Sequence, residues 1–317
     1  IAIMEYLTSG ITSAFDMYIY PKEVIQACVD CGFRIVQVSG LNNFTSSLEE
    51  LEEQYVTYND YHELCSYKLG FHAEYTTDKK LLEGLAGLSE KYHAPVYTHN
   101  SETKREVEEC RQRYGKSPTQ LFEEMGLYRY GGGGYHCIWF DDEDIDIFAK
   151  RNLSVVTNPA SNLKLASGIA PLKKMQEAGI NLAIGTDGPA SNNCLDMFRE
   201  MFLVTGLAKL REHDAAVMDA NDVLYMATTG GAKAMGLSDC DCLAVGKKAD
   251  LFLMDLMQPN MQPEHNLTKN LVYSGSKQNV KLTMVNGKIL YEDGQFFISE
   301  EPQEIYKKAN EIVSRMK

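Results

Sequence analysis

The chain is short of basic residues: 31 Lys and Arg stand against 44 Asp and Glu over 317 residues, a net charge of −13. Nucleic acid backbones and anionic membrane surfaces are gripped through clustered Lys and Arg, so this balance argues against both as partners and favours a neutral or cationic small molecule. No stretch approaches the roughly 18 apolar residues that a membrane span takes. The opening residues, Ile1 to Leu7, lack a basic lead, a cleavage site and an initiator Met, which predicts no secretory signal and an internal stretch of some longer polypeptide. Eight cysteines are scattered through the chain instead of crowding a short one, so reduced thiols of a cytoplasmic protein are expected and not a disulfide frame. Cys28-Val29-Asp30-Cys31 lies on a helical pattern, and Cys240-Asp241-Cys242 has the wrong spacing for a zinc ribbon.

What is present is a regular alternation. Apolar β-rich runs fall near Ile11–Phe15, Arg34–Val38, Lys68–His72, Pro95–His99, Gly133–His136, Leu153–Thr157 and Leu182–Thr186. Helical patterns follow each, near Lys22–Cys31, Leu48–Cys65, Lys79–Tyr92, Lys104–Arg113, Asp142–Arg151, Pro171–Ala178 and Asn193–Leu210. Repeated βα units predict an α/β fold with a parallel sheet. Ile1–Leu7 reads as a helix stopped by Gly10 with no strand before it. Seven strands and an orphan helix predict a (β/α)8 TIM-like barrel lacking its first strand, since closure requires strand number, tilt and stagger to agree. Beyond Leu210, a helix over Asn221–Ala234 precedes short strands at Ala249–Asp255, Val280–Val285 and Lys288–Tyr291, with Asn286-Gly287 as a hairpin turn. The expected organisation is a barrel over 1–235, a small C-terminal β appendage over 236–297, and a terminal helical segment over 298–317.

His72, His99, Glu102, His136 and Asp187 all fall where a predicted strand ends. In a parallel barrel that rim carries the chemistry, because strand ends fix side-chain direction while the following loops vary. Imidazoles and a carboxylate are the donors of catalytic zinc sites, which leave one coordination position for water. A single strand-end His is more often a hydrogen-bonded structural residue, but three together with an Asp and a Glu favour a metal-hydrolase site. His99 and Asp187 suit metal ligation, Glu102 proton transfer between water and substrate, and His136 either the orientation or the deprotonation of a metal-bound water. His62 on a helix, His93 in a turn, His213 in a charged loop and His265 in the appendage are read as structural. Gly131-Gly132-Gly133-Gly134 is followed by no G-K-[ST] and reads as a crowded or flexible strand entry. The segments 158–162 and 190–193 are expected either to cap and turn or to brace Asp187 and bind a ligand.

These motifs together resemble the amidohydrolase superfamily, in the branch of S-adenosylhomocysteine and 5′-methylthioadenosine deaminases and chlorohydrolases. The likeness rests on Thr8-Ser9-Gly10-Ile11-Thr12 with Asp16-Met17-Tyr18, His72-Ala73-x-Tyr75-Thr76, His99-x-x-Glu102-Thr103, His136-Cys137, residues 158–168, Gly185-Thr186-Asp187-Gly188 and Gly246-Lys247-Lys248-Ala249-Asp250-Leu251. It implies one divalent metal, usually zinc, with His99 and Asp187 among its ligands, Glu102 as proton shuttle, His136 orienting water and His72 touching substrate. It further implies attack of metal-bound hydroxide on C6 of an adenine ring with loss of ammonia, and a possible homo-oligomer. Two features depart from the pattern. The His-x-His of the family's first strand occurs nowhere in the chain, so weak metal binding and little or no turnover, an inactive chain, are expected, and Glu74 stands where the family usually has Pro. Two other readings keep their place: a guanine- or triazine-type aminohydrolase or chlorohydrolase, and a metal-free homologue acting by binding.

Overall fold

The computed structural model describes residues 1–316. Seven parallel strands lie side by side in chain order: β1 Ser13–Met17, β2 Arg34–Val38, β3 Cys65–Phe71, β4 Val96–Asn100, β5 Gly132–His136, β6 Ser154–Thr157 and β7 Asn181–Ile184. The helices around them are α1 Ala2–Thr8, α2 Pro21–Cys31, α3 Leu48–Asn59, α4 Lys79–Tyr92, α5 Lys104–Tyr114, α6 Pro118–Glu124, α7 Asp142–Arg151, α8 Pro159–Lys164, α9 Leu172–Glu177 and α10 Met197–Glu212. A flat sheet would hold β1 and β5 about 19 Å apart at the usual strand spacing. Instead the ring of Phe15 on β1 meets Tyr97 on β4 at 4.9 Å and Tyr135 on β5 at 5.6 Å. The sheet is therefore curled into an open barrel, with Val38, Tyr97, Tyr135, Val156 and Ala183 inside it.

The two end strands do not meet: β1 pairs with β2 and β7 with β6, and among the described residues each has no second strand. At the floor of this seam, α11 Ala220–Tyr225 continues through a π turn, Met226–Gly230, into α12 Gly231–Met235. Asn181 donates to the Gly230 carbonyl at 3.0 Å, and the Tyr97 hydroxyl donates to the Ala234 carbonyl at 2.7 Å. This stretch was expected as one helix. A π turn breaks it where Gly230 packs so closely on the Leu182 carbonyl that no Cβ fits.

A second, antiparallel sheet has the order β11-β10-β9-β8, with β8 Leu251–Met254, β9 Val280–Val285, β10 Lys288–Glu292 and β11 Gln295–Phe296. Asn286 and Gly287 turn its main hairpin with φ of 51° and 78°, the left-handed pair that a type I′ turn requires. The chain continues to two further helices in order, α13 Leu267–Tyr273 before that hairpin and α14 Pro302–Arg315 after it. The sheet is clamped to the barrel floor by a buried ion pair. Arg34 on β2 donates to Asp250 through Nε at 2.6 Å and Nη2 at 2.9 Å, and the Asn286 N–H completes the carboxylate at 2.7 Å.

Local expectations hold with a few shifts. β1 starts two residues after Ile11 because Gly10, at φ 71°, and Ile11 bond back to Leu7 and Tyr6 to close α1. The helical pattern from Leu48 does not run to Cys65 but ends at Asn59, whose side chain bonds Tyr67 on β3 through both N–H and C=O. His62 accordingly sits in a turn, not on a helix, and accepts the Leu64 N–H at 3.1 Å. The glycines of β5 mark a crowded strand: at Gly132 and Gly133 a Cβ would overlap the carbonyls of Val96 and Ser154.

Candidate active site

Each residue singled out from the sequence lies at the C-terminal end of the barrel strands, where the peptide chain leaves the sheet. Four positions there have left-handed backbone without being glycine: Ser101 at φ 51°, His136 at 67°, Cys137 at 50° and Asp187 at 57°. Such residues cost free energy locally and cluster where side chains are aimed for function.

Three imidazoles line up along the rim, His99 stacked on His136 and tilted by 42° against His72. The His72 and His99 ring centroids lie 5.0 Å apart and those of His99 and His136 lie 5.5 Å apart. Each ring has one nitrogen committed. His99 Nδ1 donates to the His72 carbonyl at 2.9 Å, His136 Nδ1 donates to Asn162 Oδ1 at 2.7 Å, and His72 Nδ1 bonds Thr76 Oγ1 at 2.9 Å. The carbonyl acceptor on His99 fixes the proton of the neutral ring on Nδ1 and leaves Nε2 ready to accept or to ligate, and the Asn162 acceptor ties His136 through Nδ1 so that Nε2 faces Glu102. Burial, then the neighbouring imidazoles of His136 and His72, push His99 down to about 3, so it stays neutral at physiological pH. Burial also lowers the pKa of His72, partly offset by Glu102.

Glu102 follows β4 by two residues and turns back over the mouth. Its Oε2 lies 4.0 Å from His136 Nε2, and its Oε1 accepts the Ser167 hydroxyl at 3.1 Å. Its side chain is 20% exposed, which leaves it open to a ligand. Across the rim, Asp187 accepts Ser161 Oγ at 2.5 Å and the Gly188 N–H at 2.7 Å. Burial opposes its ionisation, but the Ser161 hydroxyl, His136 and Gly188 outweigh it and hold the carboxyl below the usual range.

The short helix α8 connects the two halves of the site. Ser161 holds Asp187 and the next residue, Asn162, holds His136, while the N-terminus of α8 is anchored by Ala160 N–H to Glu200 Oε2 at 3.0 Å. Of the two readings of residues 158–162, bracing of Asp187 is the one seen. Glu200 carried no motif signal in the sequence; Ser167 lies within the family-like segment 158–168 without a role of its own, and the Thr103-x-x-Glu106 capping pattern is the signal that could have marked Glu106. The remaining histidines stand apart from the set: His93 and His213 cap helices with φ of 49° and 53°.

His99 Nε2 and the Asp187 carboxylate suit two positions of a zinc shell, because a ligating His has its second nitrogen tied to a carbonyl, as His99 has. Catalytic zinc takes three protein ligands. Among the described residues no three His, Cys, Asp or Glu side chains lie close enough to hold a metal ion. The donors present thus make part of a shell and not a complete one.

The family model for amidohydrolases matches residues 1–290. The chain belongs to the amidohydrolase family. The 5-methylthioadenosine/S-adenosylhomocysteine deaminase of Thermoanaerobacter pseudethanolicus is 35% identical over 326 residues, covering 99% of this chain and 76% of that protein. The 5′-deoxyadenosine deaminase of Methanopyrus kandleri is 35% identical over 322 residues, covering 100% of this chain and 74% of that one. Among solved structures, an adenosine deaminase from Xanthomonas campestris with bound zinc superimposes with a TM-score of 0.93 at 33% identity, over 99% of this chain and 73% of its own. An amidohydrolase of this kind is a hydrolase acting on C–N bonds.

Proposed function

We propose that the protein is a hydrolytic deaminase of adenosine-like nucleosides, of the S-adenosylhomocysteine, 5′-methylthioadenosine or 5′-deoxyadenosine type, releasing ammonia. The observation that carries this reading is the pairing of Glu102 and His136 at 4.0 Å beside His99, with Asp187 held across the rim through α8. Replacing an amino group on a purine by oxygen needs a proton for the ring nitrogen and another for the leaving amine. Glu102 is placed to carry both, because a carboxylate bonded to a serine hydroxyl at the mouth can exchange protons with water and substrate in turn. His136, with Nδ1 tied to Asn162 and Nε2 facing Glu102, hydrogen-bonds the attacking water and orients it. His72, at the neighbouring strand end, contacts the substrate.

His99 and Asp187 would hold a divalent metal, zinc by its donor chemistry, as two of its ligands. When bound, such an ion supplies a water acidified to a pKa of about 7. Two protein donors fall short of the usual three, so the 317-residue chain alone is proposed to bind zinc weakly and turn over slowly. The substrate is a small molecule, in keeping with the net charge of −13. We place the protein in the cytoplasm, where its eight free thiols would stay reduced. No helix among the described residues is long and apolar enough to cross a membrane.

The test is a panel of S-adenosylhomocysteine, 5′-methylthioadenosine, 5′-deoxyadenosine, adenosine, guanine and a chlorotriazine, followed for ammonia and chloride at saturating zinc. Ammonia from the adenosine-type nucleosides is expected. Chloride from the triazine, ammonia from guanine alone, or binding of the nucleosides with no turnover at saturating zinc would each overturn the assignment.

A further inference from the structure

Glu106 lies in the first turn of α5 and is 4% exposed, although no cationic side chain among the described residues pairs with it. A glutamate at the third helical position ordinarily completes a capping box by accepting the N–H of the cap residue, here Thr103. In this chain that bond is the longest of three, at 3.5 Å. The closer bonds reach past the cap: Glu106 Oε2 accepts the Glu102 N–H at 2.8 Å, and Oε1 accepts the Ser101 N–H at 3.1 Å. Ser101 is the residue with left-handed backbone between β4 and Glu102, the conformation that swings Glu102 back over the mouth. The reciprocal half of the box, Thr103 Oγ1 accepting the Glu106 N–H at 3.2 Å, secures the helix by itself.

We infer that Glu106 is a positioning residue that holds the Ser101–Glu102 backbone so that the Glu102 carboxyl stays fixed opposite His136 and Ser167, a role that rests on the deaminase reading of Glu102. Each of its two oxygens accepts a separate backbone N–H, so Gln, with one accepting oxygen, keeps only one of the two holds. Ala keeps neither.

The test compares wild type, E106Q, E106A and T103A by amide-resolved hydrogen exchange and by steady-state deamination at saturating zinc. T103A supplies the control, since it breaks the cap without touching the bonds to Ser101 and Glu102. The inference predicts that in E106A the Ser101 and Glu102 amides exchange about tenfold faster, with E106Q freeing one of them, while T103A frees neither. It predicts that E106A lowers kcat about 100-fold with KM changed by less than about threefold, and that E106Q recovers part of the loss. T103A matching E106A in both exchange and kcat would overturn it, leaving Glu106 a helix cap only. Wild type releasing no ammonia from any nucleoside would instead remove the deaminase reading, and the exchange pattern would then decide by itself whether Glu106 holds the loop.

Discussion

Ser161 makes the shortest hydrogen bond to Asp187, and it does so from a helix whose next residue holds His136. Removing that hydroxyl leaves a partly buried carboxylate one donor short and free to turn. S161A is expected to weaken zinc binding by about 10- to 100-fold, the usual cost of losing a partner that orients a ligand, as measured by competition with a zinc chelator dye. An unchanged affinity would mean that Asp187 does not ligate. Glu200 behind the same helix is a second residue-level lever. It is fully buried and accepts Ala160 N–H and Asn192 Nδ2, with Arg199 and Asp196 as its nearest charges. Burial, resisted by those hydrogen bonds, pushes it up to about 7, above the ordinary 4.5. A carboxyl whose pKa is raised in the fold adds stability that is complete below the unfolded value and lost as pH rises through 7. His99 and His72, lowered by burial, pull the other way over the same range, so the Glu200 contribution is read as a difference: the thermal midpoint of wild type relative to E200Q should rise as pH falls from about 8 to about 5. A difference between the two that is indifferent to pH would contradict the assignment.

Strands, unlike single residues, can be tested through their packing. β5 has no side chain at three of its five positions, and at Gly132, with φ of 129°, a Cβ would overlap the Val96 carbonyl of β4. G132A is expected to cost at least about 2 kcal/mol by denaturant titration, because both backbone and contact must yield. The site strands were legible in the sequence for a simple reason: each is a short apolar run closed by a polar side chain at its exit, so the histidines, Glu102 and Asp187 could be placed at one rim before any coordinates. The left-handed turns at Ser101, His136 and Asp187 were not legible, since no glycine marks them and tertiary bonds enforce them. α8 was hidden in the same way. Residues 158–162 read as turn chemistry, and only the Glu200 anchor and Pro159 at its first position make them a helix. The run from Leu48 looked helical to Cys65 because Tyr55, Tyr58 and Tyr61 keep the helical spacing, yet Asn59 diverts the chain into β3.

At the scale of the whole molecule, the second sheet and the barrel are joined through the Arg34–Asp250 pair, whose side chains are 5% and 2% exposed. Losing either partner strands the other charge in a dry interface. R34A or D250A is expected to lower unfolding free energy by about 3–5 kcal/mol in urea titration, whereas the apolar pair R34M/D250L should cost much less. Equal losses in single and double variants would show that packing, not charge, holds the sheets together. The barrel itself stays open between β1 and β7, and among the described residues no three donor side chains lie close enough to hold a metal ion. Fold and family thus converge on an amidohydrolase rim, at which we propose that Glu102 carries protons to a purine and that zinc is held only in part. The direct measurement is ammonia release from S-adenosylhomocysteine at saturating zinc, compared between wild type and E102Q. Slow release by the wild type, lowered about 100-fold or more in E102Q, is the predicted result; release at the same rate in both, or none from any adenosine-type nucleoside, would contradict it.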